Sequence, residues 1–295
     1  IFGILPGMCD TNFENCVRFS GIFGSELIAG AYISQIGLLI FFLTNFHNKI
    51  KKNVYSKISN YIFLLFIMFI ILISGERNAF LIFLIAVLLF FFIQKNINFS
   101  KFLIITSILF IILFIAIQNS QSIKTRFLDF YLLAKKSYQE QISFVEVIKN
   151  NPWSFHYRAA YELFLQKPIL GHGYKSFRNK CSTTKIDKLL IEQKHIYKDY
   201  RACSTHPHSY VMEFLSENGI IGLLFYLAII IYIFFKILNL RINDENNNLL
   251  AIGIGSLILA ILFPIKPSGS FFTTFNASIL FYLLGFFLYY MKNTK

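Results

Sequence analysis

Long apolar runs separated by short polar loops fill most of the chain. The runs are Ile58 to Ile73, Ala79 to Ile93, Phe102 to Ile117, Gly219 to Leu238, Leu249 to Ile265 and Phe271 to Met291. A seventh, Leu27 to Phe46, carries Ser34 and Gln35. The first six are apolar all round, as a lipid-facing helix must be, and all seven approach the roughly 17–25 residues that cross a bilayer. The pattern predicts an all-α fold: a polytopic membrane helical bundle of about seven spans. One long stretch, Asn119 to Asn218, breaks the rhythm. Within it Phe144 to Ile148 and Ala159 to Leu165 have helical apolar spacing, and Asn151-Pro152 and Lys167-Pro168 interrupt it. That reads as short amphipathic helices over a membrane face. The expected organisation is a membrane part over residues 1–118, a loop over 119–218 and a second membrane part over 219–295.

Charge orients the bundle. Lys49, Lys51, Lys52 and Lys57, then Lys95 and Lys101, then Arg241, then Lys292 and Lys295 fall on one side when alternate crossings are counted. The positive-inside rule makes that side the cytoplasm of a bacterial inner membrane. The opposite, periplasmic side receives residues 1–26, the Ser74-Gly75-Glu76-Arg77-Asn78 turn, the long loop and residues 266–270. The loop holds fifteen Lys and Arg against nine Asp and Glu. Long loops translocate regardless of charge, so this excess does not reverse the orientation. It fits either a solvated basic face or an anionic ligand.

Composition agrees with a membrane protein: 56% of residues are hydrophobic, with 36 Phe and 16 Tyr. The net charge of +13 has no nucleic-acid motif to go with it, so membrane lipids and anionic substrates are the expected partners. The chain starts at Ile1 and reads as part of a longer protein lacking upstream helices. All four cysteines (Cys9, Cys16, Cys181, Cys203) fall on the oxidising side, where Cys9–Cys16 and Cys181–Cys203 are the local pairings. Cys203-x2-His206-x-His208 matches no standard zinc spacing, and no acidic cluster suits Mg²⁺, so neither metal nor cofactor is expected.

The candidate chemistry lies at the edges of the apolar runs. His208, in His206-Pro207-His208-Ser209-Tyr210, ends a polar stretch just before the chain re-enters the membrane, where an imidazole can handle protons. Arg18, Arg77 and Arg158 all fall on the same outer side, and their planar forks suit phosphate oxygens. Taken singly, Arg77 also fits an interfacial anchor and Arg158 an ion pair with Glu162. His156, His172 and His206 read as loop histidines, and Tyr210 and Trp153 as interfacial aromatics.

Four segments carry a resemblance to the O-antigen ligase and O-antigen polymerase superfamily of bacterial envelope glycosyltransferases. Arg18-Phe19-Ser20-Gly21-Ile22-Phe23-Gly24-Ser25-Glu26 is similar to its first outer-loop signature, and Ser74 to Ala79 to its turn of small residues and Arg. Pro168-Ile169-Leu170-Gly171-His172-Gly173 resembles its Gly-x-Gly loop motif. His208-Ser209, nine residues, then Gly219-x-x-Gly222 resembles the ligase-type histidine motif. Arg158 departs from the pattern, with Glu162 where ligases often carry Leu. The resemblance implies a metal-independent transfer from an undecaprenyl diphosphate-linked glycan donor to a lipid A-core sugar hydroxyl. His208 would be the base, Arg77, Arg158 and Arg18 the diphosphate contacts, and Ser209, Gly171, Gly173, Gly219 and Gly222 the motif scaffold. An O-antigen polymerase, with a glycan acceptor, is the near alternative. A transporter or flippase of lipid-linked anions is the distant one, although it should place charges inside several spans.

Overall fold

The computed structural model describes residues 28–51, 54–94, 152–192, 201–242, 248–266 and 269–292, with short stretches between residues 107 and 138. Arg18, Cys9, Cys16 and half of the Phe102 to Ile117 run lie outside the described residues, as does Phe144 to Ile148. The described residues are helical, with no strand among them. They comprise α1 (Ala29–Lys51), α2 (Val54–Ser74), α3 (Arg77–Ile93), α4 (Pro152–Gln166), α5 (Phe177–Lys180), a 3-10 turn (Cys181–Thr183), α6 (Lys185–Glu192), α7 (Tyr210–Ile242), α8 (Asn248–Ile261) and α9 (Thr274–Lys292). Among the described residues three stretches are long and apolar enough to cross a membrane: Ala29–His47, Tyr210–Leu240 and Thr274–Met291. Ile58–Ser74, Arg77–Ile93 and Leu249–Ile261 are shorter apolar helices.

The chain divides into two compact units. The first holds α1, α2, α3, α8 and the C-terminal parts of α7 and α9. Its centre is aromatic, with Phe41, Phe42, Phe90 and Phe91 buried and in ring contact. Residues 249–262 of α8 and its exit are buried throughout. A helix apolar on every side can be short when protein rather than lipid surrounds it. Gly253 lets it approach closely, since a Cβ there would lie 2.6 Å from the Phe42 ring. Large side chains on α2 face outward (Ile62, Phe66 and Phe69), as lipid contact demands. At the α2–α3 turn the Glu76 carboxylate accepts the Gly30 and Ala31 backbone N–H groups at 2.6 and 3.2 Å. It thereby caps the N-terminus of α1, where an anion meets both free donors and the helix dipole.

The second unit holds α4, α5, α6, the N-terminal part of α7, and residues 262–281. Helix α4 runs between the two X-Pro breaks read from the sequence, with Pro152 as its first residue, where the missing N–H costs nothing. Phe155, Ala159, Ala160 and Leu163 of α4 pack against Phe177, Cys181, Ile186, Leu190 and Ala202. The segment thus builds a small core of its own. A Cys181–Cys203 disulfide closes it, the local pairing expected. Glu162 accepts the Lys185 N–H at 2.6 Å and caps α6, so its carboxylate serves this core.

Helix α7 begins nine residues before the apolar run does. Tyr210 to Asn218 are helical, and the break comes at Gly219, with φ 65° and ψ −162°. The helix that runs on from the break to Leu240 spans roughly 30 Å at 1.5 Å per residue, about one hydrocarbon core, so Tyr210 to Asn218, with Glu213 and Glu217, need not enter it.

Candidate active site

The break at Gly219 is where two motifs meet. In an unbroken helix the carbonyls of Ser216 and Glu217 would accept the N–H groups of Ile220 and Ile221. Here Ser216 O accepts His172 N at 3.1 Å and Glu217 O accepts Gly173 N at 2.8 Å. The freed N–H groups turn to the same loop: Ile220 N donates to Pro168 O at 2.8 Å, and Ile221 N to Ile169 O at 3.4 Å. The Pro168 to Gly173 segment thus slots into the gap, and four orphaned backbone groups are satisfied. Two glycines make the approach geometrically allowed. Gly219 has a backbone conformation open essentially to glycine alone, and a Cβ on it would run into the Ile169 carbonyl. Gly171, at φ 67°, lies against the backbone of Glu217 and Asn218. Gly173 also has positive φ but has open space around it, and Gly222 sits against the Asn218 side chain.

The two glutamates of α7 fasten loops on either side. Glu217 accepts Lys175 N at 2.7 Å and Phe177 N at 3.2 Å. Glu213, also buried, accepts the Ser270 hydroxyl and, at 2.7 Å, the Phe271 N–H. The first turns of α7 are therefore a hub holding residues 168–177 and 270–271. The sequence does carry a signal for this hub: Glu213 and Glu217 at i, i+4 put two carboxylates on one face of a helix.

His208 precedes this hub. It has a left-handed backbone, φ 56°, rare for a residue other than glycine. Ser209 follows as the helix cap, its carbonyl accepting Glu213 N at 2.9 Å and its hydroxyl Met212 N at 3.5 Å. The His208 ring lies between two others, 5.0 Å from His156 and 4.2 Å from His206 between centroids. Burial, then the neighbouring His206 and His156, lowers its pKa from 6.5 to about 3. His208 is thus a neutral imidazole at physiological pH.

The surrounding histidines have different standing. His156 is a helical residue of α4, not a loop residue as read from the sequence. Its Nδ1 donates to Ala202 O at 2.8 Å. His172 donates from Nε2 to Leu163 O at 2.9 Å and anchors the end of α4. Among the described residues, no three His, Cys, Asp or Glu side chains converge as metal ligands.

Arg158 lies in the same unit as His208, two residues from His156 on α4. It is exposed and its guanidinium sits 5.8 Å from the Phe155 ring centre. Glu162, the ion-pair partner expected for it, instead caps α6. Arg77 is the first residue of α3, in the other unit.

A family model described as O-antigen ligase matches residues 62–227, more than half the chain. The chain belongs to the O-antigen ligase family. No curated protein matches it. The matched span runs from α2 into α7, so it contains Arg77, Arg158, the Gly171-x-Gly173 loop, His208 and the Gly219 break. Membership in the O-antigen ligase family makes this a membrane-embedded protein of glycosyltransferase type, acting between a lipid-linked glycan donor and an acceptor.

Proposed function

We propose that the chain transfers a glycan from undecaprenyl diphosphate to a sugar hydroxyl of the lipid A core at the periplasmic face of the inner membrane. The observation that carries this reading is His208: a half-buried, uncharged imidazole on a strained backbone, between two other rings, inside the family match. In the reaction the acceptor oxygen attacks the anomeric carbon and the bond from that carbon to the diphosphate oxygen breaks. The diphosphate leaves with the bonding pair, and the hydroxyl proton passes to His208. A neutral imidazole can accept that proton, and a cationic one cannot. Its basicity is low in the structure. An arriving diphosphate supplies negative charge, which raises the pKa of a nearby imidazole and so couples donor binding to base strength.

Arg158, Arg77 and Arg18 are the proposed diphosphate contacts, fixed positive charges that favour the leaving group. Their assignment rests on the motif resemblance, and the first two lie inside the span of the family match. Ser209, Gly171, Gly173, Gly219 and Gly222 belong to the scaffold that presents the histidine segment and the loop.

The test is transfer by purified protein supplied with donor lipid and acceptor. His208→Ala is expected to abolish transfer while expression and membrane insertion persist. Full activity in that variant refutes the mechanism. Polymerisation of repeat units is the same chemistry with a glycan acceptor, and a disruption strain separates the two. Loss of a ligase leaves long glycans on the carrier lipid. Loss of a polymerase leaves single repeat units on the envelope lipid.

A further inference from the structure

Lys266 lies between α8 and α9, outside the membrane-spanning helices, and only 3% of its surface is exposed. Its ammonium sits 4.8 Å from the ring centre of Tyr210, the first residue of α7. The surroundings are aromatic: Tyr210 contacts Phe271 at 5.5 Å and Tyr226 at 6.5 Å, and Phe214 stacks on Tyr226 at 5.0 Å. Among the described residues no carboxylate offsets the desolvation of this ammonium. Glu213, the nearest acid in sequence to Tyr210, is occupied by Ser270 and Phe271. Burial alone lowers the Lys266 pKa from 10.5 to about 7.

A buried cation with no counter-charge is unfavourable. Desolvation costs several kcal/mol, and one aromatic face returns about 0.5–2 kcal/mol. A lysine kept at such a position is accounted for by an anion that arrives from outside. The setting is suited to one. The N-terminus of α7 adds the positive end of the helix that runs from Tyr210 to the break at Gly219. His208 is two residues upstream of Tyr210. The loop bearing Lys266 is fastened to α7 through Glu213, so the ammonium is held against the same helix start that follows the histidine.

We propose that Lys266 binds a phosphate oxygen of a membrane lipid, the diphosphate of the glycan donor, beside His208. The assignment to the donor rests on the glycosyl-transfer reading above. Lys266 is then a substrate-binding residue contributed by the loop between α8 and α9. The bound anion supplies the counter-charge and keeps the ammonium protonated.

The test uses the full chain in detergent, wild type against Lys266→Met, which keeps the length and removes the charge. Two readouts are taken. The first is thermal unfolding alone, with inorganic diphosphate, with undecaprenyl diphosphate, and with phosphatidylglycerol. Without ligand the variant is expected to unfold a few degrees above wild type, because a buried charge has gone. Undecaprenyl diphosphate should raise the wild-type midpoint and leave the variant unmoved. The second readout is steady-state transfer: the donor KM should rise about tenfold or more in the variant, the loss of one charged hydrogen bond, with the acceptor KM within twofold. A variant that unfolds earlier than wild type, yet keeps both its response to undecaprenyl diphosphate and its donor KM, makes Lys266 a packing residue and overturns the proposal. A response to phosphatidylglycerol only, lost in the variant, overturns the donor assignment in favour of a headgroup site. Failure of the underlying reading looks different: wild-type protein would then transfer no glycan in the same assay. A wild type that transfers, beside a variant with unchanged donor KM, sinks Lys266 alone.

Discussion

Substitution of Gly219 by alanine tests whether the helix break is the joint of the site. Its backbone, at φ 65° and ψ −162°, is closed to residues with a Cβ at a cost of about 1–3 kcal/mol. The added methyl would also fall on the Ile169 carbonyl, so the loop must withdraw. Withdrawal breaks the bonds from Ile220 N to Pro168 O and from Ile221 N to Ile169 O. At a net 0.5–1.5 kcal/mol each, these add about 1–3 kcal/mol. The expected loss is about 2–6 kcal/mol, a large part of the margin of an ordinary domain. The comparison is Gly285→Ala in α9, where a Cβ meets nothing within 4 Å and the backbone is helical. There alanine should stabilise by up to about 1 kcal/mol. Unfolding of both variants in detergent, followed by intrinsic fluorescence or circular dichroism, gives the difference directly. Glycan transfer measured alongside should fall steeply for Gly219→Ala only, because the 168–177 loop is displaced. If Gly219→Ala unfolds within about 1 kcal/mol of wild type, the coupling between break and loop is wrong.

The histidine makes a prediction about acid. The folded pKa of His208 lies below its unfolded value, so the unfolded chain binds the extra proton as pH falls from about 6.5 towards 3. Stability from this group is complete above pH 6.5 and lost on acidification across that window. His208→Asn, which tolerates a left-handed backbone and cannot titrate, should flatten the pH dependence of the unfolding midpoint and abolish transfer. Reduction of the Cys181–Cys203 bond, or Cys203→Ser, opens a 22-residue loop and should cost about 3 kcal/mol by chain entropy. The unfolding midpoint with and without reductant checks it, and an unchanged midpoint would show that the small core holds residues 201–209 without help. Arg77→Lys keeps the charge and loses the planar fork. Transfer should drop substantially, and an unchanged rate returns Arg77 to the class of membrane anchors.

Uniformly apolar stretches of sequence announce six of the described helices, and Asn151-Pro152 and Lys167-Pro168 mark both ends of α4. These are local signals: apolar character on every side of a turn, and a ring that fixes φ and removes an N–H. The histidine motif is legible for a similar reason, since its residue types and spacing lie within one short segment. The start of α7 is legible only in part. Glu213 and Glu217 fall at helical spacing, but Glu213, Ser216, Glu217 and Asn218 give no sign of a helix that leads into a membrane span, and the groups their carbonyls and carboxylates bind come from loops elsewhere in the chain.

By itself the sequence determined that this is a helical membrane protein, named the residues with chemistry to offer, and pointed to their family. Tertiary structure decided which of them act on one another. It placed His156 and His206 against His208, assigned Glu213 and Glu217 to the backbone of two loops, and left Lys266 buried against Tyr210. The physical reason is desolvation. Whether a histidine is charged or a lysine is desolvated depends on which groups exclude water around it, and those groups, such as His156 for His208 and Tyr210 for Lys266, come from distant segments of the chain.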